Sequence, residues 1–246
     1  IYDEIDLERS FFGFFIIMSG ASSGSVIVDY KTEALLMLSY GISGMIMLLL
    51  SRLIFDKYIM SDFCISQEIR NRNEAAALMD SGNTIATALI IFAYMNWVQG
   101  VNTTTILVVV YGWLISQILL SLTSFVRNKM YKSINNHTLQ EAIKGGNKAV
   151  AIRNTCYRLA IATTPIIAST HVEFIEEYAL WQASTIFGYS ILFSVGLLII
   201  PLLIKKTLFS NIDFKDEINE QQNEGLARLE GAFVLGMAFV LFGLLK

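Results

Sequence analysis

Stretches of about 20 predominantly apolar residues recur along this chain, and that is the length a helix needs to cross a bilayer. Seven are read from the sequence: 11–28, 34–54, 75–98, 104–126, 148–169, 179–204 and 225–245. They are twice as long as a β-barrel strand and do not alternate, which excludes a barrel. Composition agrees. Of 246 residues, 54% are hydrophobic and 16% charged, against about 25% charged in soluble domains. A soluble globule and a disordered chain are both excluded. The expected fold class is all-α, a polytopic integral membrane helical bundle. Its weakest stretch is the first, where residues 19–25 are small or polar, although Gly20 and Gly24 supply a G-xxx-G spacing that lets helices approach closely.

Charge is distributed by side. Arg9, then Arg52, Lys57, Arg70 and Arg72, then Arg127, Lys129, Lys132, Lys144 and Lys148, then Lys205, Lys206 and Lys215 all fall on one face of a seven-span chain. The other face receives Lys31 and Lys246 together with Asp29, Glu33, Glu173, Glu176 and Glu177. Positive charge marks the cytoplasmic side, so residue 1 is expected inside and Lys246 outside. A net charge of −3 gives no reason to expect nucleic acid. Cys64 and Cys156 are too few for a disulfide framework or a metal cluster. The chain opens on Ile1 and acidic residues, without a basic-then-apolar leader, so no signal peptide is expected and the start reads as trimmed.

Internal repetition reorganises these stretches. Three connectors on the basic side lead into related sequences: Glu68-Ile69-Arg70-Asn71-Arg72-Asn73-Glu74-Ala75, Glu141-Ala142-Ile143-Lys144-Gly145-Gly146-Asn147-Lys148-Ala149, and Glu217-Ile218-Asn219-Glu220-Gln221-Gln222-Asn223-Glu224-Gly225. Each has an acidic residue, an Ile four or five residues before an Asn, then a charged residue and small residues opening an apolar stretch. The unit is span, connector, span, and it occurs three times with a period of about 75 residues. Residues 4–28 read as the second half of a fourth, degenerate unit, with Glu4-Ile5 in place of the Glu-Ile pair. The expected division is therefore 1–28, 29–99, 100–174 and 175–246.

This pattern resembles the bacterial membrane family catalogued as domain of unknown function 350. That family repeats a pair of spans, with Glu-Ile…Gly-Asn-x-Ala-x-Ala leading into the second. Gly146-Asn147-Lys148-Ala149-Val150-Ala151 matches best, and Asn73-Glu74-Ala75-Ala76-Ala77 next. The third copy has Gln222 for the Gly and Gly225 for the first Ala, and the N-terminal copy has only Ser10 near the Asn position. The resemblance implies tandem two-span repeats in a bacterial plasma membrane, and no particular activity. Two-span units enter the membrane in the same orientation, related by an axis along the membrane normal. Equivalent residues should then share a depth.

Ionisable groups inside spans are costly and so are functional candidates. Seven residues past Asn73, Asn147 and Asn223 stand Asp80, Asn154 and Glu230, about 10 Å along each helix. Arg153 and Arg228 lie beside them, with Asn83 and Arg158 about a turn further. One reading is a polar constriction or ion-binding layer between units. Another is a structural belt in which Arg153 or Arg228 neutralises Asp80 or Glu230. A third places these residues nearer the interface. The three Asn residues read as helix-start or inter-helix hydrogen-bonding groups. His171 with Glu173, Glu176 and Glu177 reads as a solvated acidic loop rather than a metal site. No G-x-S-x-G, P-loop or dinucleotide motif occurs, so no enzyme activity, cofactor or metal is expected. Connectors 55–66, 127–140 and 207–216 mix aromatic, aliphatic and charged residues, which suits the headgroup level or a docking face.

The expected partner is the lipid bilayer, with a homo-oligomer or a cytoplasmic protein compatible with the connectors. Two functions follow. One is a small-ion or proton channel or transporter using the polar layer. The other is a non-catalytic scaffold or assembly subunit that recruits a cytoplasmic partner. Unpaired carboxylates favour the first, and matched cation–carboxylate pairs the second.

Overall fold

A computed structural model of the chain describes residues 11–20, 30–98, 103–208 and 211–245. Glu4, Ile5, Ser10 and Gly24 lie outside the described residues. Among those described, every regular element is helical. The long helices are α1 (Phe11–Gly20), α2 (Tyr30–Ile54) and, after a short helix α3 (Ile65–Arg70), α4 (Glu74–Trp97). The second unit runs α5 (Thr103–Asn135), α6 (Leu139–Lys144), α7 (Lys148–Ala162) and α8 (Thr164–Ser169). The third runs α9 (Ala179–Leu208) and, after a single wide turn at Asp216–Glu220, α10 (Glu224–Leu244).

Five helical segments are long and apolar enough to cross a membrane: Met37–Ile59, Glu74–Trp97, Thr104–Asn135, Glu176–Thr207 and Glu224–Leu244. The other two stretches expected to span differ in kind among the described residues, where the expected count of seven is not confirmed. Phe11–Gly20 is a shorter apolar helix. Residues 148–169 form two helices, because Pro165 sits in the first turn of α8 and has no N–H to continue α7. Moreover, α7 carries Arg153, Asn154 and Arg158. It lies between α4 and α10, packing extensively on both. A helix covered by protein on two sides does not need the apolar circumference of one that faces lipid.

The repeat motif folds the same way three times. A short helix ends in a residue with positive φ: Arg72 (66°), Gly146 (81°) and Gln222 (53°). In the first two units this is a Schellman cap, with Arg72 N–H to Ile69 O and Asn73 N–H to Glu68 O, and Gly146 N–H to Ile143 O and Asn147 N–H to Ala142 O. In the third, the wide turn lengthens the closing bond, which runs from Asn223 N–H to Glu217 O. The family Gly meets this left-handed geometry without cost, whereas Arg72 and Gln222 adopt it against a penalty of about 1 kcal/mol. The next residue is the motif Asn, which caps the following long helix. Its Oδ1 accepts from Ala76 N–H, Val150 N–H or Leu226 N–H at 3.0–3.1 Å.

The same side chains also tie the units together. Asn73 Nδ2 donates to Ile143 O and Lys144 O, at the end of α6. Asn147 Nδ2 donates to Ile218 O and Asn219 O, in the equivalent turn of the third unit. Further along, Gly82 of α4 lies so close to Thr155 of α7 that a Cβ would overlap the Thr methyl, and Gly231 of α10 lies as close to Cys156 of α7. These contacts join nearly equivalent positions of successive units, counted from the motif Asn. The first long-helix residues also pair, Lys148 with Glu74. The helices α4, α7 and α10 therefore run parallel and in register.

Two packed regions result. One fills the bundle around Tyr94, Trp97, Val108, Trp113 and Leu120, where Trp113 Nε1 donates to Ser51 Oγ at 2.7 Å and Trp97 Nε1 to Val172 O. The second unites the connectors: Phe55, Met60, Ile65, Ile69, Ile143 and Ile218 are buried among the starts of α4, α7 and α10. The connector apolar residues thus mostly face each other, with Tyr58 and Ile212 left exposed. The exterior of the bundle is apolar, with Leu107, Ile118, Leu192, Leu203 and Phe239 at or above 58% exposure. An apolar exterior of this extent suits a hydrocarbon solvent and not water.

Candidate functional site: a charged layer at the connector end

Asp80, Asn154 and Glu230 occupy the same level on α4, α7 and α10, and all three are at most 5% exposed. Each meets a basic residue from the connector end of its own unit's first helix. Arg52 of α2 bridges to Asp80 Oδ2 at 3.3 Å. Lys205 of α9 bridges to Glu230 Oε1 at 2.7 Å, and Tyr157 OH donates to the same oxygen at 3.1 Å. In the middle unit the acceptor is an amide: Arg127 Nε donates to Asn154 Oδ1 at 2.8 Å. Arg127 also stacks over the Tyr157 ring, 3.8 Å from its centroid. Asn154 Nδ2 reaches back to Met79 Sδ.

The sequence reading named different cations. Arg228 points away from the layer and pairs with Glu224, one helical turn before it on an exposed face. Arg153 makes no direct hydrogen bond or ion pair among the described residues; it lies 6.0 Å from the Tyr131 ring centroid and on the same cavity wall as Glu230. The direct contacts come from Arg52, Arg127 and Lys205, which in the sequence belong to the basic belt. The signal was available: they precede Asp80, Asn154 and Glu230 by 28, 27 and 25 residues, a spacing that recurs with the repeat.

A second buried cation lies deeper. Arg158 is 5% exposed. It donates to Asn83 Oδ1 at 2.6 Å and Ser124 Oγ at 2.7 Å, and it packs over Phe55. Neutral oxygens rather than a carboxylate solvate it.

Helix geometry fixes the depth of the layer. Asp80 stands 17 residues from Trp97, the far end of α4, which is about 25 Å. Arg127 stands 24 residues from Thr103 at the far end of α5, about 36 Å. Against a hydrocarbon about 30 Å thick, these lengths put the layer in its connector-side half and not at its middle.

Between the second and third units this layer opens into a cavity of about 180 Å³, walled by Arg127, Arg153, Tyr157, Lys205, Lys215 and Glu230. Glu230 Oε2 is buried there without a hydrogen-bond partner. Outside the layer, the Thr138 backbone N–H holds the exposed Glu141 carboxyl below its ordinary range, within the capping box that starts α6. His171 contacts Phe193, and Glu173, Glu176 and Glu177 are exposed.

No curated protein and no solved structure matches the chain. Residues 7–95 and 98–245 each match the family described as Domain of Unknown Function (DUF350), as expected of a tandem repeat, and the chain belongs to that family.

Proposed function

We propose that the chain is a non-catalytic membrane scaffold or assembly subunit of a bacterial plasma membrane, with its basic connectors on the cytoplasmic side. The observation that carries this reading is the pairing of both layer carboxylates, Asp80 with Arg52 and Glu230 with Lys205. A carboxylate already held by a cation is a poor site for a second one, and ion pairs at this level serve packing. The inter-unit bonds of Asn73 and Asn147 support the same reading, since they tie the first unit to the second and the second to the third. Exposed Arg70, Arg72, Lys129, Lys132 and Lys144 at the connector end give a soluble, acidic partner a surface to meet.

The alternative, a small-ion or proton path through the layer, makes a different prediction in proteoliposomes. With K⁺, Na⁺ or proton gradients, the scaffold reading predicts flux equal to that of empty vesicles for the parent chain, Asp80→Asn and Glu230→Gln alike. Gradient-driven flux that Glu230→Gln abolishes in a folded protein overturns it.

A further inference from the structure

The cavity between the second and third units holds more positive charge than its own carboxylate balances. Lys205 engages Glu230, which leaves Arg127, Arg153 and Lys215 on the same wall. In place of the carboxylate found at the equivalent position of its neighbours, Arg127 meets the Asn154 amide oxygen and the Tyr157 ring. Arg153 has no intrachain hydrogen bond or ion pair among the described residues. Among the described residues, Glu230 is the one carboxylate on a wall that also carries Arg127, Arg153, Lys205 and Lys215, so positive charge is in excess there. Guanidinium groups in such surroundings call for a further anion, and their planar forks match phosphate oxygens best. The space of about 180 Å³ admits a phosphate group with attendant water, given about 30 Å³ per water in the liquid.

A second pocket, of about 50 Å³, adjoins this one across the Lys205–Glu230 pair and is lined by Pro201, Ile204, Leu229 and Phe233. The polar cavity and the apolar pocket share Lys205, Phe214 and Glu230. We propose that this crevice binds an anionic phospholipid, its headgroup phosphate on Arg127 and Arg153 and the start of an acyl chain along Pro201 and Phe233. Basic pockets between membrane helices on the positive side recognise lipid headgroups by this chemistry. The apolar half favours a lipid over free phosphate.

The test is equilibrium binding of fluorescent phosphatidylglycerol, and of phosphatidylcholine with the same chains, to the full chain in detergent micelles. Phosphatidylglycerol is expected to bind at least about tenfold more tightly, as one charge-assisted contact to phosphate supports. Arg153→Gln removes no intrachain bond. It is expected to lower that affinity about tenfold while leaving phosphatidylcholine binding and helix content unchanged. Arg228→Gln, outside the cavity, is expected to leave binding intact. Equal affinity for the two lipids, or an unchanged affinity in folded Arg153→Gln, overturns the proposal. Displacement of the bound lipid by millimolar inorganic phosphate assigns the cavity to free phosphate and overturns the lipid assignment. Neither ion flux nor partner recruitment enters this measurement, so it stands or falls apart from the scaffold reading.

Discussion

Lys205→Met is expected to destabilise the protein by about 3 kcal/mol, because it leaves the Glu230 carboxylate buried without its ion-pair partner. Met keeps most of the Lys stem and its packing, so the loss reports the charge and not a cavity. Arg127 and Arg153 face the same cavity, which places the effect at the low end of the range for broken buried pairs. The double variant Lys205→Met with Glu230→Gln should recover to within about 1 kcal/mol of the parent, since a neutral amide still accepts from Tyr157 OH and no orphaned charge remains. Reversible unfolding in mixed micelles, followed by helix circular dichroism, measures both. A double variant no more stable than Lys205→Met alone would show that Glu230 draws its stability from another source.

The second large effect separates capping from inter-unit bonding. Asn223→Ala removes an N-cap and one bond to its own unit's Glu217, and is expected to cost about 1 kcal/mol. Asn147→Ala removes the equivalent cap and also deprives Ile218 O and Asn219 O of their donor. Asn147 is 5% exposed, so those carbonyls have little access to water, and each lost bond adds about 1 kcal/mol. The expected total is about 3 kcal/mol, with Asn73→Ala close behind. Equal losses at Asn147 and Asn223 would reduce these residues to simple caps.

The repeat made much of this legible. Counting from the motif Asn brings Asp80, Asn154 and Glu230 to one level, because parallel two-span units must place equivalent residues at equivalent depths. What the repeat did not reveal was the direction of the side chains. Arg228 is a near neighbour of Glu230 in sequence, but residues two apart on a helix point about 200° apart, and it pairs with Glu224 instead. Arg153, in contrast, does face the cavity that holds Glu230. The cations that reach the layer come from the preceding helix, across the connector. Hydropathy failed at α7 for a related reason: Asn154, Tyr157 and Arg158 find hydrogen-bond partners on α4, α5 and α10, a circumstance visible only once the units are packed. The left-handed turn at Arg72 and Gln222 was hidden because neither is the Gly that usually marks it.

Parallel stacking of the units in register underlies every part of this account, and intrachain disulfide trapping tests it most directly. In a chain with Cys64→Ser and Cys156→Ala, the pair Glu74→Cys with Lys148→Cys joins the first residues of α4 and α7, whose native side chains form an ion pair. Mild oxidation in membranes is expected to link them within one chain, while Glu74→Cys with Thr155→Cys, about 10 Å further along α7, stays reduced. Linkage of the second pair and not the first would contradict the register, and with it the shared charged layer.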